Sequence, residues 1–363
     1  MYTKTSRIFL FFLFFAIIPL QAQDIRFTQH QWRPGYDLRK LGNTTIFQGN
    51  NKKKNYFEGW YFKMVAEDGS AIMSVIPGIA LSKDGKEQHA FIQTINGVTA
   101  ETRYYSFPIE AFSFARKGFE IKIGKNYFSK ERISLDLNDG SSSLKGEVNM
   151  INPVNYKSGT LLNPGIMGWF RFVPFMECYH GVVSLTHDLQ GQLTVDNQVL
   201  NFDRGKGYIE KDYGSGMPSA WIWMQSNNFS NPTSSFMLSV ATIPWLGRSF
   251  NGFLGFFYHD NQYHHFATYR SSKMKVEVPD SSSVNIRIRN PKHTLLIHAR
   301  SNNAGMLHAP VEGAMDRRIP ESIDATLKIT VLDKNGNVIL KDSTDITGLE
   351  MVGDYMKLKG QLK

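Results

Sequence analysis

The chain has 363 residues, of which 42% are hydrophobic, and its formal net charge at pH 7 is +9. This length suits two domains better than one small core. The positive charges are scattered apart from Lys52–Lys54, and the sequence contains no recognisable nucleic-acid-binding motif, so we predict no nucleic-acid partner. A basic chain can still contact anionic lipid surfaces, and we expect at most peripheral membrane contact.

Met1–Gln23 has the pattern of a signal peptide: Lys4 and Arg7 precede an apolar run, and small or neutral residues follow near Ala22. A membrane anchor is the alternative interpretation. The run at 8–20 is shorter than the roughly 20 residues that a spanning helix needs, which favours cleavage. We therefore predict an exported protein, periplasmic or extracellular.

Strand patterns dominate the rest of the chain. Alternating or β-branched segments predict strands at 57–63, 71–76, 119–123, 133–137, 284–288 and 325–331, and turn sequences lie at 67–70, 83–85, 138–140 and 334–336. The best candidate for a helix is a short one around Ser234–Ala241, with ambiguous periodicity. Many short antiparallel strands predict an all-β fold of barrels or a sandwich.

The middle of the chain, 151–175, is rich in proline, glycine and asparagine. It predicts either a long loop over a barrel mouth or part of the crossing between two halves. We place the division near 190–200, giving an N-terminal unit at 24–195 and a C-terminal unit at 196–363. The one cysteine, Cys178, cannot form an internal disulfide and is interpreted as a small buried apolar residue.

The segment Gly205–Gln225 concentrates acids and aromatic residues around a Gly/Pro turn. In an extended strand Tyr208, Glu210 and Asp212 lie on one face and Lys211 on the other. The same rule places Trp221, Trp223 and Gln225 together on the second strand. The residues between the strands, 214–218, predict a hairpin or a strand corner. Such a face can bury a carboxyl against indole rings, which shifts its pKa.

A second acidic and aromatic pair lies near the start of the chain, where Glu58 and Trp60 share one strand face. The pair can contribute a second acid to a shared site. The structural alternative is a buried glutamate held by Lys63 or Arg33.

The ordered set of motifs resembles the tocopherol cyclase family. The segments that carry the resemblance are YFEGWYFK at 56–63 with Ile76-Pro-Gly78, GYIEKDYG at 207–214 with WIWMQ at 221–225 and Asn228-Phe229, and, at the end, Ala309-Pro310, Met315, Glu321-Ser322 and GLEMVG at 348–353. They span nearly all of the chain after the leader. Two features depart from the family pattern. Tyr213 stands where the pattern predicts tryptophan, and this chain has a predicted secretory signal where plant members carry chloroplast targeting.

The resemblance implies two lipocalin-like β-barrels packed together, as in AttH-like and carotenoid-hydratase-like proteins. It also implies closure of a chromanol ring on a prenylated hydroquinone, without a redox cofactor or metal. An acid protonates the alkene nearest the ring, and the phenol oxygen captures the tertiary cation. The acid must stay protonated near neutral pH, in apolar or negatively charged surroundings.

We predict Glu210 and Asp212 as the catalytic acids, because two adjacent carboxyls can share a proton. Substrate contacts are predicted for Glu58, Trp60, Tyr208, Trp221, Trp223 and Gln225. A structural ion-pair network is the alternative for the two acids, and ordinary core packing is the alternative for the tryptophans.

Neither metal binding nor serine hydrolysis is predicted. His259, His264 and His265 do not share a strand face, and no G-x-S-x-G motif occurs.

The sequence thus predicts a cofactor-free cyclase of a prenylquinol or related isoprenoid lipid. Two alternatives stay open. One is a carrier that binds such a lipid without changing it, and the other is a hydratase in which water captures the same cation.

Overall fold

The structure is a computed structural model that describes residues 27–29, 35–156, 165–174, 176–245 and 247–362. The predicted signal peptide lies outside these residues. In the described part, the structure is almost entirely antiparallel β, with one short α-helix at Tyr36–Gly42. Single 3-10 turns occur at Ile109–Ala111, Gly168–Phe172, Thr268–Arg270 and Tyr355–Leu358. No helix in these ranges is both long and apolar enough to cross a membrane.

The first sheet contains all the strands up to Gly214. They are β1 (Phe27–Gln29), β2 (Tyr56–Val65), β3 (Ile72–Leu81), β4 (Gln88–Asn96), β5 (Thr102–Pro108), β6 (Phe112–Ala115), β7 (Glu120–Ile123), β8 (Asn126–Ser129), β9 (Arg132–Asn138), β10 (Ser143–Asn155), β11 (Cys178–Val195), β12 (Gln198–Asn201) and β13 (Lys206–Gly214). Their order is β1-β6-β7-β8-β9-β10-β11-β13-β2-β3-β4-β5, with β12 paired to β11.

The second sheet contains all the strands from Trp221 onward. They are β14 (Trp221–Ser226), β15 (Ser235–Trp245), β16 (Arg248–His259), β17 (Gln262–Ala267), β18 (Lys273–Asp280), β19 (Ser283–Arg289), β20 (Thr294–Arg300), β21 (Gly305–Val311), β22 (Ala314–Leu332), β23 (Val338–Val352) and β24 (Gly360–Leu362). Their order is β17-β16-β15-β14-β23-β22-β20-β19-β18-β24, with β21 paired to β22.

Each sheet surrounds its own apolar core, and a third apolar cluster lies between the two sheets. The predicted all-β fold of two lipocalin-like units is confirmed, although neither hydrogen-bonded path closes on itself among the described strands. The sheet changes between Gly214 and Trp221, some twenty residues beyond the boundary placed at 195/196. Whether the domains divide at that boundary stays a prediction.

The Gly/Pro turn after β13 is a corner between sheets, not a hairpin. β13 pairs with β2 and β11, whereas β14 pairs with β15 and β23. Gly214 has a φ of 155°, and a Cβ there would lie 2.0 Å from the carbonyl oxygen of Glu177. Only glycine therefore fits at this corner.

The predicted short helix around Ser234–Ala241 is wrong, because β15 begins at Ser235 and occupies the rest of these residues. Phe236, Leu238 and Val240 pack in the core of the second sheet, while Met237 and Ala241 face the cluster between the sheets. A strand that is buried on both faces has a nearly continuous apolar sequence, which hides its two-residue period.

A buried lysine links the two sheets. The Nζ of Lys63, on β2, lies 3.3 Å from Oε1 of Gln225 on β14 and 3.2 Å from the carbonyl oxygen of Ile346 on β23. Burial lowers the pKa of Lys63 to about 7. Gln225 thus contributes to the contact between the sheets, outside the cavity described next.

Candidate active site

A cavity of about 170 Å³ lies between the two sheets. Most of its wall is apolar. Its charged and aromatic lining consists of Phe57, Tyr61, Phe91, His180, Glu210, Asp212, Trp221, Trp223, His308, Glu321 and Glu350. The first sheet supplies His180 and two of these acids, and the second sheet supplies His308, both tryptophans and the other two acids.

The predicted face of β13 is turned toward this cavity. The hydroxyl of Tyr208 donates to Oε2 of Glu210 at 2.6 Å, and both side chains are buried. Tyr208 packs in the apolar cluster between the sheets, while Glu210 and Asp212 line the cavity. The alternation of the strand therefore groups these three residues as the sequence predicts.

His180, on β11, lies between the two acids of β13. Its Nδ1 is 2.8 Å from Oδ1 of Asp212, and its Nε2 is 3.3 Å from Oε2 of Glu210. Burial alone would lower the pKa of His180, but the two carboxylates outweigh it and raise that pKa well above its ordinary value. His180 is therefore an imidazolium at neutral pH, held by two carboxylates.

Within the described ranges, His180, Glu210 and Asp212 form a group whose potential donor atoms lie within 4.8 Å of one another. A metal ion needs such atoms to converge on one point. Here the two ring nitrogens face different carboxylates, so the imidazole itself fills the space between the acids. This arrangement fits a charged hydrogen-bonded triad better than a metal centre.

Glu321, on β22, is a buried carboxyl near the opposite wall. The hydroxyl of Tyr61 donates to its Oε1 at 2.6 Å and accepts from Ser74 Oγ at 2.8 Å. Burial raises the pKa of Glu321 to about 7, and the nearby charge of Glu210 acts in the same direction. Near neutral pH this group is therefore present in both its acid and its carboxylate form.

Glu350, on β23, is partly accessible and lies at the cavity wall. Its Oε2 accepts a short hydrogen bond from Nε1 of Trp221. Burial raises the pKa of Glu350 well above its ordinary value, and the charges of Glu321, Asp212 and Glu210 raise it further. Burial and the neighbouring acids therefore favour the neutral form of the Glu350 carboxyl.

Two polar atoms of the lining lack a hydrogen-bond partner among the described residues. They are Nε1 of Trp223 and Oε2 of Glu321. Buried polar atoms are paired in most native structures, so a group of unpaired atoms around one cavity calls for an explanation. A ligand hydroxyl can satisfy both of them at once, because it both donates and accepts.

Trp221 and Trp223 lie on one face of β14, as predicted, and both line the cavity. Trp223 contacts the ring of Tyr61 edge-on, with centroids 5.5 Å apart, and Arg317 lies 4.9 Å from the ring of Trp221. Gln225 shares their face one step further along, where it contacts Lys63. The two indole rings thus give the cavity an aromatic wall.

Glu58 and Trp60 lie away from the cavity, in the region of the first core. Glu58 is fully buried in an ion pair with Lys211, and it accepts from the backbone N–H groups of Gln48 and Gly49 at 2.9–3.0 Å. Trp60 stacks on Phe119, with ring centroids 5.5 Å apart. Contact of Glu58 and Trp60 with substrate stays a prediction that this arrangement does not support.

The sequence patterns predict no role for two acids of the cavity, Glu321 and Glu350. Both occur in the closing motifs of the family resemblance, and Glu350 stands alone between Leu349 and Met351 in a strand pattern. A single acid in a buried apolar run was the available signal. The pairing of Trp223 with Glu350 across β14 and β23, which brings the acid to the cavity, is not visible in the sequence.

Comparison with known proteins agrees with this architecture. A family model described as tocopherol cyclase-like matches residues 147–353, more than half of the chain. The chain belongs to the tocopherol cyclase-like family. The match includes His180, both acids of β13, both tryptophans, Glu321 and Glu350. The matched region therefore contains all the acids and both tryptophans that line the cavity.

Two plant members of the family match a short part of the chain. A probable chloroplastic tocopherol cyclase of Oryza sativa subsp. japonica is 30% identical over 74 residues, which are 20% of this chain and 16% of that protein. The chloroplastic tocopherol cyclase of Zea mays is 28% identical over 74 residues, with the same shares. The chain thus matches only about a sixth of the length of these relatives.

The fold has a relative among solved structures. CghA aligns with a TM-score of 0.55 at 10% identity, covering 86% of this chain and 92% of CghA. CghA with Sch210972 aligns with a TM-score of 0.52 at 10% identity, covering 82% and 89%. At this identity the likeness shows a shared fold.

Proposed function

We propose that this protein binds a prenylated hydroquinone, or a closely related isoprenoid phenol, and closes a ring on it by acid catalysis. The observation that carries the proposal is the position of Glu350 at the wall of an apolar cavity with two indole rings, where burial and nearby acids raise the pKa of its carboxyl. A carboxylic acid kept protonated at neutral pH is the group that alkene protonation needs.

The proposed reaction is an isomerisation. Glu350 transfers its proton to the less substituted carbon of a trisubstituted alkene, and the π electrons form the new C–H bond and leave a tertiary cation. The phenol oxygen then forms a C–O bond to the cation, and its O–H bond breaks. Glu321 as carboxylate accepts that proton, and proton return to Glu350 completes the cycle.

Glu321 suits the role of base because its pKa of about 7 leaves a carboxylate fraction at neutral pH. The unpaired Oε2 of Glu321 is the proposed acceptor of the phenol proton, and Nε1–H of Trp223 is the proposed donor to the phenol oxygen. The two indole faces stabilise the cation and exclude water from it.

In this proposal Glu210 and Asp212 act through their charge. They hold His180 as an imidazolium and raise the pKa of Glu350, and Glu210 also raises that of Glu321. This assigns them a different role from the one predicted from the sequence, where they are the acids themselves. Variants of Glu210 and Glu350 separate the two assignments.

The cavity is smaller than the few hundred Å³ of a site that encloses a whole drug-sized ligand. We therefore infer that the ring and the first isoprene unit occupy it while the rest of the chain extends outward. CghA, which shares the fold, has been crystallised with Sch210972, and this supports a small organic ligand here as well.

The test is turnover of a panel of prenylated quinols in D₂O, followed by mass spectrometry. Cyclisation is expected to add one non-exchangeable deuterium, at the carbon that Glu350 protonates, and no other mass. A product that also gains the elements of water would instead identify a hydratase. Recovery of every quinol unchanged, with lipid still bound, would overturn the catalytic proposal and identify a carrier.

A further inference from the structure

A second, smaller cavity continues the first one toward the surface. It has a volume of about 60 Å³ and shares Met167, Ala241 and Leu254 with the main cavity, among other residues. Its far wall contains Phe170, Phe250 and Tyr269, which are all partly exposed. The two cavities together form an apolar path that begins at the acids and ends at this aromatic wall.

Exposed aromatic rings surround the outer end of that path. Trp169 is 50% exposed, Phe172 is 47% exposed and Trp245 is 37% exposed. Among the described residues, no other tryptophan or phenylalanine is as exposed as these three. Trp169 and Phe172 lie in the 3-10 turn Gly168–Phe172, and Trp245 is the last residue of β15.

Ring contacts join these segments. Trp169 stacks on Phe170 with centroids 4.2 Å apart, Phe170 lies 6.5 Å from Phe250, and Phe250 lies 6.2 Å from Trp245. These four rings therefore form one continuous surface, and the exposed Phe172 lies in the same 3-10 turn as Trp169 and Phe170. We call the five residues the aromatic rim (Trp169, Phe170, Phe172, Trp245 and Phe250). A connected exposed apolar patch is uncommon on a monomer and marks an interaction site.

The charges around the aromatic rim have one sign. The segments 165–174, 243–252 and 267–271 contain three arginines and no aspartate or glutamate. Arg171 is turned inward, donating to the hydroxyl of Tyr213 at 2.7 Å, whereas Arg248 and Arg270 are exposed. Arg248 lies opposite Trp245 in the strand register at the tip of the β15–β16 hairpin. Asp354, an acid in the loop after β23, forms an ion pair with Lys357.

The geometry points to the aromatic rim as a docking surface for a lipid bilayer that contains anionic lipids. Tryptophan and phenylalanine partition into the interface of a bilayer, and arginines beside them bind anionic headgroups. A protein partner would also bury such a patch, but a bilayer accounts as well for the exposed arginines beside it and for the apolar path behind it. The docked position lets a lipid tail stay in the membrane while its reactive end enters the cavity.

The experiment measures vesicle flotation of the chain with Trp169→Ser and Trp245→Ser combined. The vesicles are phosphatidylcholine alone and an equal mixture of phosphatidylcholine and phosphatidylglycerol. The double variant is expected to bind the mixed vesicles about tenfold more weakly. The matched control is Val338→Ser with Ile339→Ser, an exposed apolar pair at the start of β23, which should change nothing.

A second pair of variants tests the arginines. Arg248→Gln with Arg270→Gln should reduce binding to the mixed vesicles by roughly fivefold for each charge removed and leave the weak binding to phosphatidylcholine unchanged. Arg287→Gln with Arg289→Gln, two exposed arginines on β19, is the control. Equal binding of the unaltered chain to both kinds of vesicle would overturn the role of the arginines.

Unchanged flotation of the tryptophan variant, or an equal loss in its control, would overturn the docking surface. Turnover of quinol dispersed in detergent distinguishes this inference from the proposed function. If docking is right, the tryptophan variant keeps its detergent turnover and loses turnover of vesicle-embedded quinol. If the Glu350→Gln variant loses turnover in detergent but still floats with vesicles, the result bears on the proposed reaction and not on membrane docking.

Discussion

β13 carries acids on one face and a buried lysine on the other, and the surroundings of the two faces differ in how completely their polar atoms are paired. On the core side, Lys211 meets Glu58, whose oxygens also accept from two backbone N–H groups and from Tyr56. On the cavity side, the group around Glu321 retains unpaired polar atoms. Complete pairing indicates a structural site, whereas incomplete pairing at a cavity indicates a ligand site.

The variant Glu350→Gln tests the cavity side most strongly. It removes the proposed proton donor while keeping shape and the hydrogen bond from Trp221, so kcat is expected to fall about 10²- to 10⁴-fold. The measurement is turnover of prenylated quinol by mass spectrometry. Glu277→Gln, an exposed acid of the same sheet, serves as the control, and full activity in Glu350→Gln would remove that residue from the mechanism.

The variant Glu58→Gln tests the core side. It leaves Lys211 buried without a counter-ion, so the free energy of unfolding should fall by about 3–5 kcal/mol in urea denaturation. Combining Glu58→Leu with Lys211→Met should recover only part of this, since the N–H group of Gln48 and the hydroxyl of Tyr56 lose the carboxylate to which they donate.

The exposed ion pair Lys83–Glu312 provides the contrast. Glu312→Gln should change the free energy of unfolding by less than about 1 kcal/mol. An equally small effect of Glu58→Gln would contradict the structural assignment of the core-side pair.

The variant Glu210→Gln sharpens the comparison through pH. Removing this charge lowers the pKa of Glu350 and of Glu321. Because the proposed acid must be protonated, the alkaline limb of kcat/KM should move to lower pH, with activity kept at the acidic end. Loss of activity at every pH would instead identify Glu210 as the acid, and Glu131→Gln is the exposed control.

The variant Tyr61→Phe is expected to have the smallest effect. The Tyr61 hydroxyl donates to Glu321, which lowers the pKa of that carboxyl against the effect of burial. The pKa of Glu321 is 4.5 in the unfolded chain and about 7 in the folded protein. The free energy of unfolding should therefore decrease as the pH rises from 4.5 to about 7, because the unfolded chain releases this proton first. In Tyr61→Phe this decrease should extend to higher pH, which thermal unfolding between pH 4 and 9 would detect. An unchanged profile would show that the hydrogen bond does not control Glu321.

The sequence predicts what depends on the alternation of one strand. Tyr208, Glu210 and Asp212 share a face, and so do Trp221, Trp223 and Gln225, because side chains alternate along an extended chain. The all-β fold follows from strand and turn signals of the same local kind. Which side chains share a face of a strand is therefore predictable without knowing which strands pair with it.

The rest of the site depends on long-range pairing. Glu350 reaches the cavity because β23 pairs with β14, and Glu321 because β22 pairs with β23. His180 lies opposite Asp212 through the pairing of β11 with β13. Nothing within a short window of sequence specifies these registers, and Glu58 carries the same local signal as Glu210 although it lies in the core region.

Because Lys211 alternates with Glu210 and Asp212, the two faces of β13 are free to change independently over evolutionary time. Substitutions at the cavity-facing positions alter the chemistry while the core keeps its ion pair, and substitutions on the core side alter stability while the chemistry persists. A single inserted residue would exchange the two sets at once, placing the lysine in the cavity and the acids in the core. Divergence of this strand should thus proceed by replacement, with its length held constant.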